Sequence, residues 1–215
     1  MGPRVPHSPT RVSAGDPTPD AGRDRADATS LGDGYVRLIA EAVDEGVVVV
    51  NKGISGDRAI DLAARWDDVL AAEPTVLTVY VGVNDMWRRF DSDDPTSALD
   101  FESTVTALLE AARAAGVERF LLVEPFFVPV SDGQAAWLED LDPKRAAVRR
   151  LAERFDATLV ELHDGVGAAA AEHGAGAIVP DGVHPTPQGA AIIADAWLAA
   201  YAAAPVGAAT TGVAP

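Results

Sequence analysis

The chain has 215 residues, the length of one ordinary domain, and 48% of them are hydrophobic, which is enough to bury a core. Its formal net charge is −16, so we expect no nucleic-acid partner and no binding to an acidic membrane surface, since both would repel it. It contains no cysteine, which excludes disulfide bonds, thiolate catalysis and cysteine-based metal sites.

Both ends of the chain lack a hydrophobic pattern. Residues 1–10 are rich in Pro, Ser and Arg, and residues 204–215 are small and unpatterned. We predict a disordered N-terminal segment (1–10), a single domain (11–203) and a flexible C-terminal tail (204–215). No apolar run resembles a signal-peptide core or approaches the ~20 residues of a membrane span, so we expect no membrane partner and a cytoplasmic location.

Between these ends, apolar and β-branched runs alternate with longer segments that carry apolar residues at helical spacing. The predicted strands are 46–51, 75–82, 119–126 and 157–162. The predicted helices are 34–45, 57–72, 97–115, 139–155 and 187–203. This alternation predicts an α/β fold, in which helices cover both faces of a parallel sheet.

One strand of such a sheet would have to come from the start of the domain. The segment HSPTRVSAG (7–15) is the candidate, but it is polar and contains Pro9. Proline cannot donate to a sheet, and polar side chains do not suit a strand buried on both faces. We therefore expect this segment to make a poor central strand.

Binding and catalytic groups in parallel sheets lie in the loops that follow the strands. Three such loops carry polar groups: NKGISGDR (51–58), GVNDMWRRF (82–90) and PDGVHPTPQG (180–189). Each of them alone is typical of an ordinary turn, because Gly, Asn and Asp favour turn geometry. In that reading Asp57 caps the following helix and Asp85 is structural.

The segment DGVHP places a carboxylate and an imidazole three residues apart. Asp181 can accept the Nδ1–H of His184, which fixes the tautomer and leaves Nε2 as a base. Pro185 favours extended geometry at His184 and so holds the ring outside the following helix. We therefore interpret His184 as functional, whereas His7, His163 and His173 are interpreted as incidental surface residues.

Two further loops offer hydrogen-bond donors. The side-chain amide of Asn84 can point into a cleft, and the missing Cβ of Gly56 lets its backbone N–H approach a ligand closely. Two donors that converge on one point form most of an oxyanion hole.

Taken together, the GD pair at 15–16 and the blocks NKGISGD, GVND and DGVHP, in that order, resemble the SGNH (GDSL-type) hydrolase family. The resemblance implies a three-layer α/β/α sandwich, flavodoxin-like, with about five parallel strands. It also implies carboxylic ester substrates, a nucleophilic serine at position 17, oxyanion donors at Gly56 and Asn84, and an Asp181–His184 pair. No cofactor and no metal are implied.

The block that supplies the nucleophile departs from the family pattern. In GDPTPDAGR (15–23), position 17 is proline, which has neither a hydroxyl nor a backbone N–H. Three interpretations stay open: a pseudo-enzyme that binds without turnover, a decayed or altered sequence, and a substitute hydroxyl. The candidates for the last, Thr18, Ser13 and Ser55, are poorly placed for attack.

The ligand we expect is a small acyl or acetyl ester, and the sequence leaves the oligomeric state open. Asp16, Trp87 and Arg88 are predicted to line the cleft, although helix packing and ion pairs with residues 91–94 account for the last two equally well. EPFFVPV (124–130) is a second candidate wall. The chief rival to an esterase is a non-catalytic carbohydrate- or ester-binding protein, because the chain lacks the glycine-rich phosphate loop of a nucleotide-binding module.

Overall fold

The computed structural model describes residues 10–15 and 22–203, in which strands and helices alternate. The strands are β1 (Thr10–Gly15), β2 (Val48–Gly53), β3 (Val76–Tyr80), β4 (Arg119–Val123) and β5 (Thr158–Val160). The helices are α1 (Tyr35–Ala42), α2 (Ala59–Ala64), α3 (Trp66–Leu70), α4 (Val83–Asp91), α5 (Ala98–Ala114), α6 (Leu138–Arg154), α7 (His163–His173), α8 (Ala175–Ile178) and α9 (Pro187–Ala203), with a 3-10 helix at Asp132–Trp137. In this part of the chain, no helix is both long and apolar enough to cross a membrane.

The five strands form one sheet in the order β2-β1-β3-β4-β5, and all four pairings are parallel. Helices cover both faces, because alternate side chains of each strand point to opposite sides. Leu77 and Val79 pack with α2, α3, α5 and α6, whereas Val76 and Tyr80 pack with α1, α7, α8 and α9. The predicted three-layer α/β/α sandwich with five parallel strands is confirmed.

The expectation that residues 7–15 would make a poor central strand is wrong for residues 10–15, and residues 7–9 lie outside the described residues. Thr10–Gly15 pairs with β2 on one side and β3 on the other, so Thr10 also belongs to the domain and not to the segment 1–10. Val12 and Ala14 are 1% and 0% exposed and supply the apolar face. The polar residues of the other face have partners: the Ser13 hydroxyl lies 3.1 Å from the Tyr35 hydroxyl, and Arg11 Nε donates to the Tyr201 hydroxyl at 3.0 Å.

The predicted helices at 97–115, 139–155 and 187–203 correspond closely to α5, α6 and α9. The predicted helix 57–72 is instead two short helices, α2 and α3, which are separated at Arg65. Arg65 donates from Nε to the Asp57 carboxylate at 2.8 Å and from Nη1 to the Lys52 carbonyl at 2.8 Å. The break therefore ties the start of α3 to the end of β2.

A buried carboxylate from the first turn of helix α4 caps helix α2. The backbone N–H of Ala59 donates to Asp85, with N–O distances of 3.0 and 3.3 Å, and Asp85 is fully buried. Asp85 is structural, as predicted, whereas the predicted capping role of Asp57 is wrong because Asp57 pairs with Arg65. Burial raises the pKa of Asp85 to about 6, although the Ala59 N–H and the nearby Lys144 favour its charged form.

Because Asp85 binds a proton more readily in the folded chain, raising the pH from about 4 to 6 should lower its contribution to the free energy of unfolding. Each tenfold change in proton affinity is worth about 1.4 kcal/mol, so the loss approaches 3 kcal/mol. We expect Asp85→Asn to remove this dependence while keeping an acceptor for Ala59. Urea unfolding between pH 4.5 and 7.5 measures the difference in free energy of unfolding between the parent and the variant. A difference that stays constant with pH contradicts the assignment. Asp68→Asn, which changes an exposed residue of α3, is the control.

Candidate active site

The carboxyl ends of β1, β2 and β3 lie close together at one edge of the sheet. The Ile54 N–H donates to the Gly15 carbonyl at 2.9 Å, which fixes the loop after β2 against the end of β1. Gly15 has φ +128, and a Cβ there would overlap the Tyr80 carbonyl oxygen. Only glycine therefore fits where β1 leads into residues 16–21.

The Asp181–His184 pair has the geometry that the sequence predicts. His184 Nδ1 lies 2.6 Å from Asp181 Oδ2. The other carboxylate oxygen, Oδ1, accepts the backbone N–H groups of His184 at 2.8 Å and Val183 at 3.1 Å. One carboxylate therefore fixes both the loop backbone and the imidazole, and with Nδ1 protonated the ring carries its lone pair on Nε2.

The same contacts keep Asp181 ionised. Partial burial opposes the charge, but the backbone N–H of His184, the His184 ring and the N–H of Val183 outweigh it and lower the pKa of the Asp181 carboxyl. The two side chains are about half exposed, at 49% for Asp181 and 55% for His184. An ionised acceptor next to an accessible imidazole is what general-base catalysis needs.

The loop that carries the pair rests on the segment after β4. The Val128 N–H donates to the Gly182 carbonyl at 3.0 Å. Gly182 has φ +94, and a Cβ there would overlap the Val128 carbonyl oxygen and lie 2.9 Å from the Phe127 ring. On the other side of His184, the Thr186 hydroxyl donates to the Ala177 carbonyl at 2.6 Å and accepts the Gly189 N–H in the first turn of α9.

The two predicted oxyanion donors lie in neighbouring loops. Asn84 is 9% exposed, and its Nδ2 donates to the carbonyl of Asp57, the residue after Gly56, at 3.2 Å. This bond orients the amide at the start of α4. The loop of His184 adjoins the same region, since Val183 and Val83 belong to one apolar cluster.

The two residues predicted to line the cleft on α4 have different surroundings. Trp87 is half-buried and packs edge-on against Phe127 and Trp137, with ring centroids 6.2 and 5.2 Å away. Arg88 lies at Gly56, because a Cβ on that glycine would be 3.6 Å from Arg88 Nη2. Arg88 also pairs with Asp91, so the predicted ion pair with the acidic run is present.

The remaining sequence candidates lie apart from this pair or outside the described residues. Ser13 is buried beneath α1, where its hydroxyl contacts Tyr35. His163 begins α7, and burial lowers its pKa; His173 lies at the end of the same helix. Pro17, Asp16, Thr18 and His7 lie outside the described residues. Within residues 10–15 and 22–203, no three His, Asp or Glu side chains form a group that could hold a metal ion.

The segment EPFFVPV contributes differently from the expected cleft wall. Phe126 is buried in the core between the sheet and α9, and Phe127 packs beneath Gly182. Glu124 is buried and pairs with Arg145 and Arg149 of α6. The support that Phe127 gives to the His184 loop is not evident from the sequence, where the Asp-Gly pair at 181–182 indicates only a tight turn.

We expect Gly182→Ala to destabilise the protein more than an alanine at an equally unusual but open glycine. Gly174 has φ +87 and no heavy atom of the described residues within 4 Å of a built Cβ, so Gly174→Ala should cost about 1–2 kcal/mol for backbone strain alone. Gly182→Ala adds overlap with Val128 and should cost roughly 3 kcal/mol or more. Chemical denaturation measures both, and equal losses would refute the proposed seating of the loop.

The chain as a whole is similar to proteins of a known family. Residues 14–192 match the model of the GDSL-like lipase/acylhydrolase family. The chain is 30% identical over 198 residues to an acetylxylan esterase from Geobacillus stearothermophilus, a match that covers 86% of this chain and 90% of that enzyme.

Solved structures agree with this match. The fold is similar to that of LAE5, an alpha/beta hydrolase enzyme from the metagenome of Lake Arreo, Spain, with a TM-score of 0.82, 30% identity and 92% and 97% of the two chains covered. It is also similar to Axe2, an acetylxylan esterase from Geobacillus stearothermophilus, with a TM-score of 0.81, 29% identity and 89% and 93% covered. Two catalytic mutants of Axe2 replace a serine and an aspartate by alanine. The chain described here belongs to the GDSL-like lipase/acylhydrolase family.

Proposed function

We propose that the cleft binds a small acetyl or acyl ester, and that the chain keeps the base and the oxyanion donors of an esterase while Pro17 removes its nucleophile. The observation that carries the proposal is the Asp181–His184 pair, whose 2.6 Å contact orients the imidazole for proton transfer. The similarity to acetylxylan esterases supports an acetyl ester. The charge of −16 leads us to expect no nucleic-acid partner.

With a serine at position 17, the reaction would follow from the proposed roles. His184 Nε2 takes the hydroxyl proton as the serine oxygen attacks the ester carbonyl carbon. The N–H of Gly56 and the side-chain amide of Asn84 donate to the oxyanion of the tetrahedral intermediate. The intermediate then expels the alcohol, which takes the proton from His184, and water hydrolyses the acyl-enzyme by the same steps.

Proline at position 17 removes two groups that this reaction would use. It supplies no hydroxyl for the attack, and it supplies no backbone N–H to the oxyanion. Loss of a serine nucleophile in a hydrolase lowers turnover by about 10⁶-fold. The same observation favours a second candidate function, in which the chain binds an acylated small molecule or sugar without turnover.

We expect Pro17→Ser to convert the chain into an active esterase, because it restores the nucleophile beside an intact base. Hydrolysis of p-nitrophenyl acetate should stay near the buffer rate for the parent and rise by several orders of magnitude in the variant, approaching the ~10⁶-fold effect of a serine nucleophile. Adding His184→Ala to Pro17→Ser should abolish the gain. Adding His173→Ala, which changes an exposed histidine of α7, should leave the gain intact.

Two outcomes would contradict the proposal. Hydrolysis by the parent that depends on His184 would mean that another nucleophile acts. A folded Pro17→Ser variant without activity would mean that the cleft lacks more than a serine, and it would favour binding without turnover, in which His184 is dispensable for ligand affinity.

A further inference from the structure

Arg88 stands out among the residues around Gly56. It lies one helical turn after Asn84 on α4, so both side chains project from the same face of the helix. A Cβ built on Gly56 would meet Arg88 Nη2 at 3.6 Å and, within the described residues, no other heavy atom closer than 4 Å beyond its chain neighbours. The Arg88 guanidinium therefore lies close to the α-carbon of Gly56, the glycine whose N–H we propose as an oxyanion donor.

Other arginines already neutralise the nearby carboxylates. Asp57 pairs with Arg65, and Asp61 accepts from Arg58 Nε at 3.0 Å. These contacts involve less exposed arginines, at 18% for Arg65 and 21% for Arg58.

The pair between Arg88 and Asp91 is easier to exchange. The two residues lie three apart on one helix, and their side chains are 35% and 32% exposed. Water and salt screen a partly exposed pair more than a buried one, so it contributes less to stability. Exchanging Asp91 for a ligand therefore costs Arg88 less than breaking a buried pair would.

We propose that Arg88 makes the cleft a binding site for a short-chain carboxylate, the acid that corresponds to the acyl group of an ester. Its guanidinium, the Gly56 N–H and the Asn84 amide are the donors. The inference rests on the proposed function for the roles of Gly56 and Asn84. A carboxylate carries a full negative charge and forms charge-assisted hydrogen bonds with a guanidinium, whereas an ester or amide carbonyl is neutral and gains less.

The test compares acetate with acetamide, its neutral counterpart, by low-affinity isothermal titration at fixed ionic strength. In the unchanged chain we expect acetate to bind about 10-fold or more tightly than acetamide, as a charge-assisted hydrogen bond implies. Arg88→Gln should reduce this ratio to near one, and Arg88→Lys should keep part of it. Arg89→Gln is the matched control, since Arg89 is the next residue but pairs with Asp140 of α6.

A ratio near one in the unchanged chain would overturn the proposal, as would an unchanged ratio in a folded Arg88→Gln variant. A ratio that falls equally in Arg89→Gln would also overturn it, because the effect would then reflect general charge. Binding is measured on the chain with Pro17, so it is independent of whether Pro17→Ser hydrolyses an ester. Failure of the esterase proposal and failure of this one are therefore distinguishable.

Discussion

The site depends on how closely separate backbone segments approach one another at the carboxyl edge of the sheet. The end of β1 lies against the Tyr80 carbonyl, and the loop of His184 lies against the Val128 carbonyl, with glycine at each contact. Backbone groups in such contacts leave no room for a side chain, but they position the loops rigidly. The strands set the distance between neighbouring loops, and these backbone contacts fix the position of each loop at the edge of the sheet.

Two sets of buried or half-buried ion pairs hold the ends of strands to helices. Asp57 and Arg65 join the end of β2 to α3, and Glu124 with Arg145 and Arg149 joins the end of β4 to α6. Breaking such a pair leaves a buried charge without its partner, which is costly. Asp85 differs, because it is buried with backbone N–H donation from Ala59 and its pKa is raised. The segments that carry Gly56 and Asn84 are thus held by one ion pair and one buried helix cap.

The Asp181–His184 pair is held independently of position 17 by every contact described for it. The carboxylate accepts from its own loop, Gly182 is seated on the segment after β4, and Thr186 fixes the loop to α8 and α9. Within the described residues, these contacts are enough to orient the imidazole. This arrangement is compatible with the proposal that the chain keeps a base although it has a proline at position 17.

Much of the fold and part of the site could be predicted from the sequence. Continuous apolar runs indicated strands buried on both faces. The spacing in DGVHP indicated the Asp181–His184 contact, because side chains three residues apart in a tight turn lie within reach of each other. Long-range partners could not be predicted. The polar residues of β1 are accommodated in a central strand because Ser13 and Arg11 form hydrogen bonds with the hydroxyls of Tyr35 and Tyr201. These partners lie 22 and 190 residues away in the chain.

The tertiary structure alone decided three further points. Asp85, and not Asp57, caps α2. The loop of His184 packs against Val128, and Arg88 lies beside Gly56. Each contact joins segments that follow different strands, so its geometry depends on the order β2-β1-β3-β4-β5, which local residue patterns do not specify. The identity of position 17, by contrast, is a matter of sequence alone: proline carries no hydroxyl and no N–H in any fold.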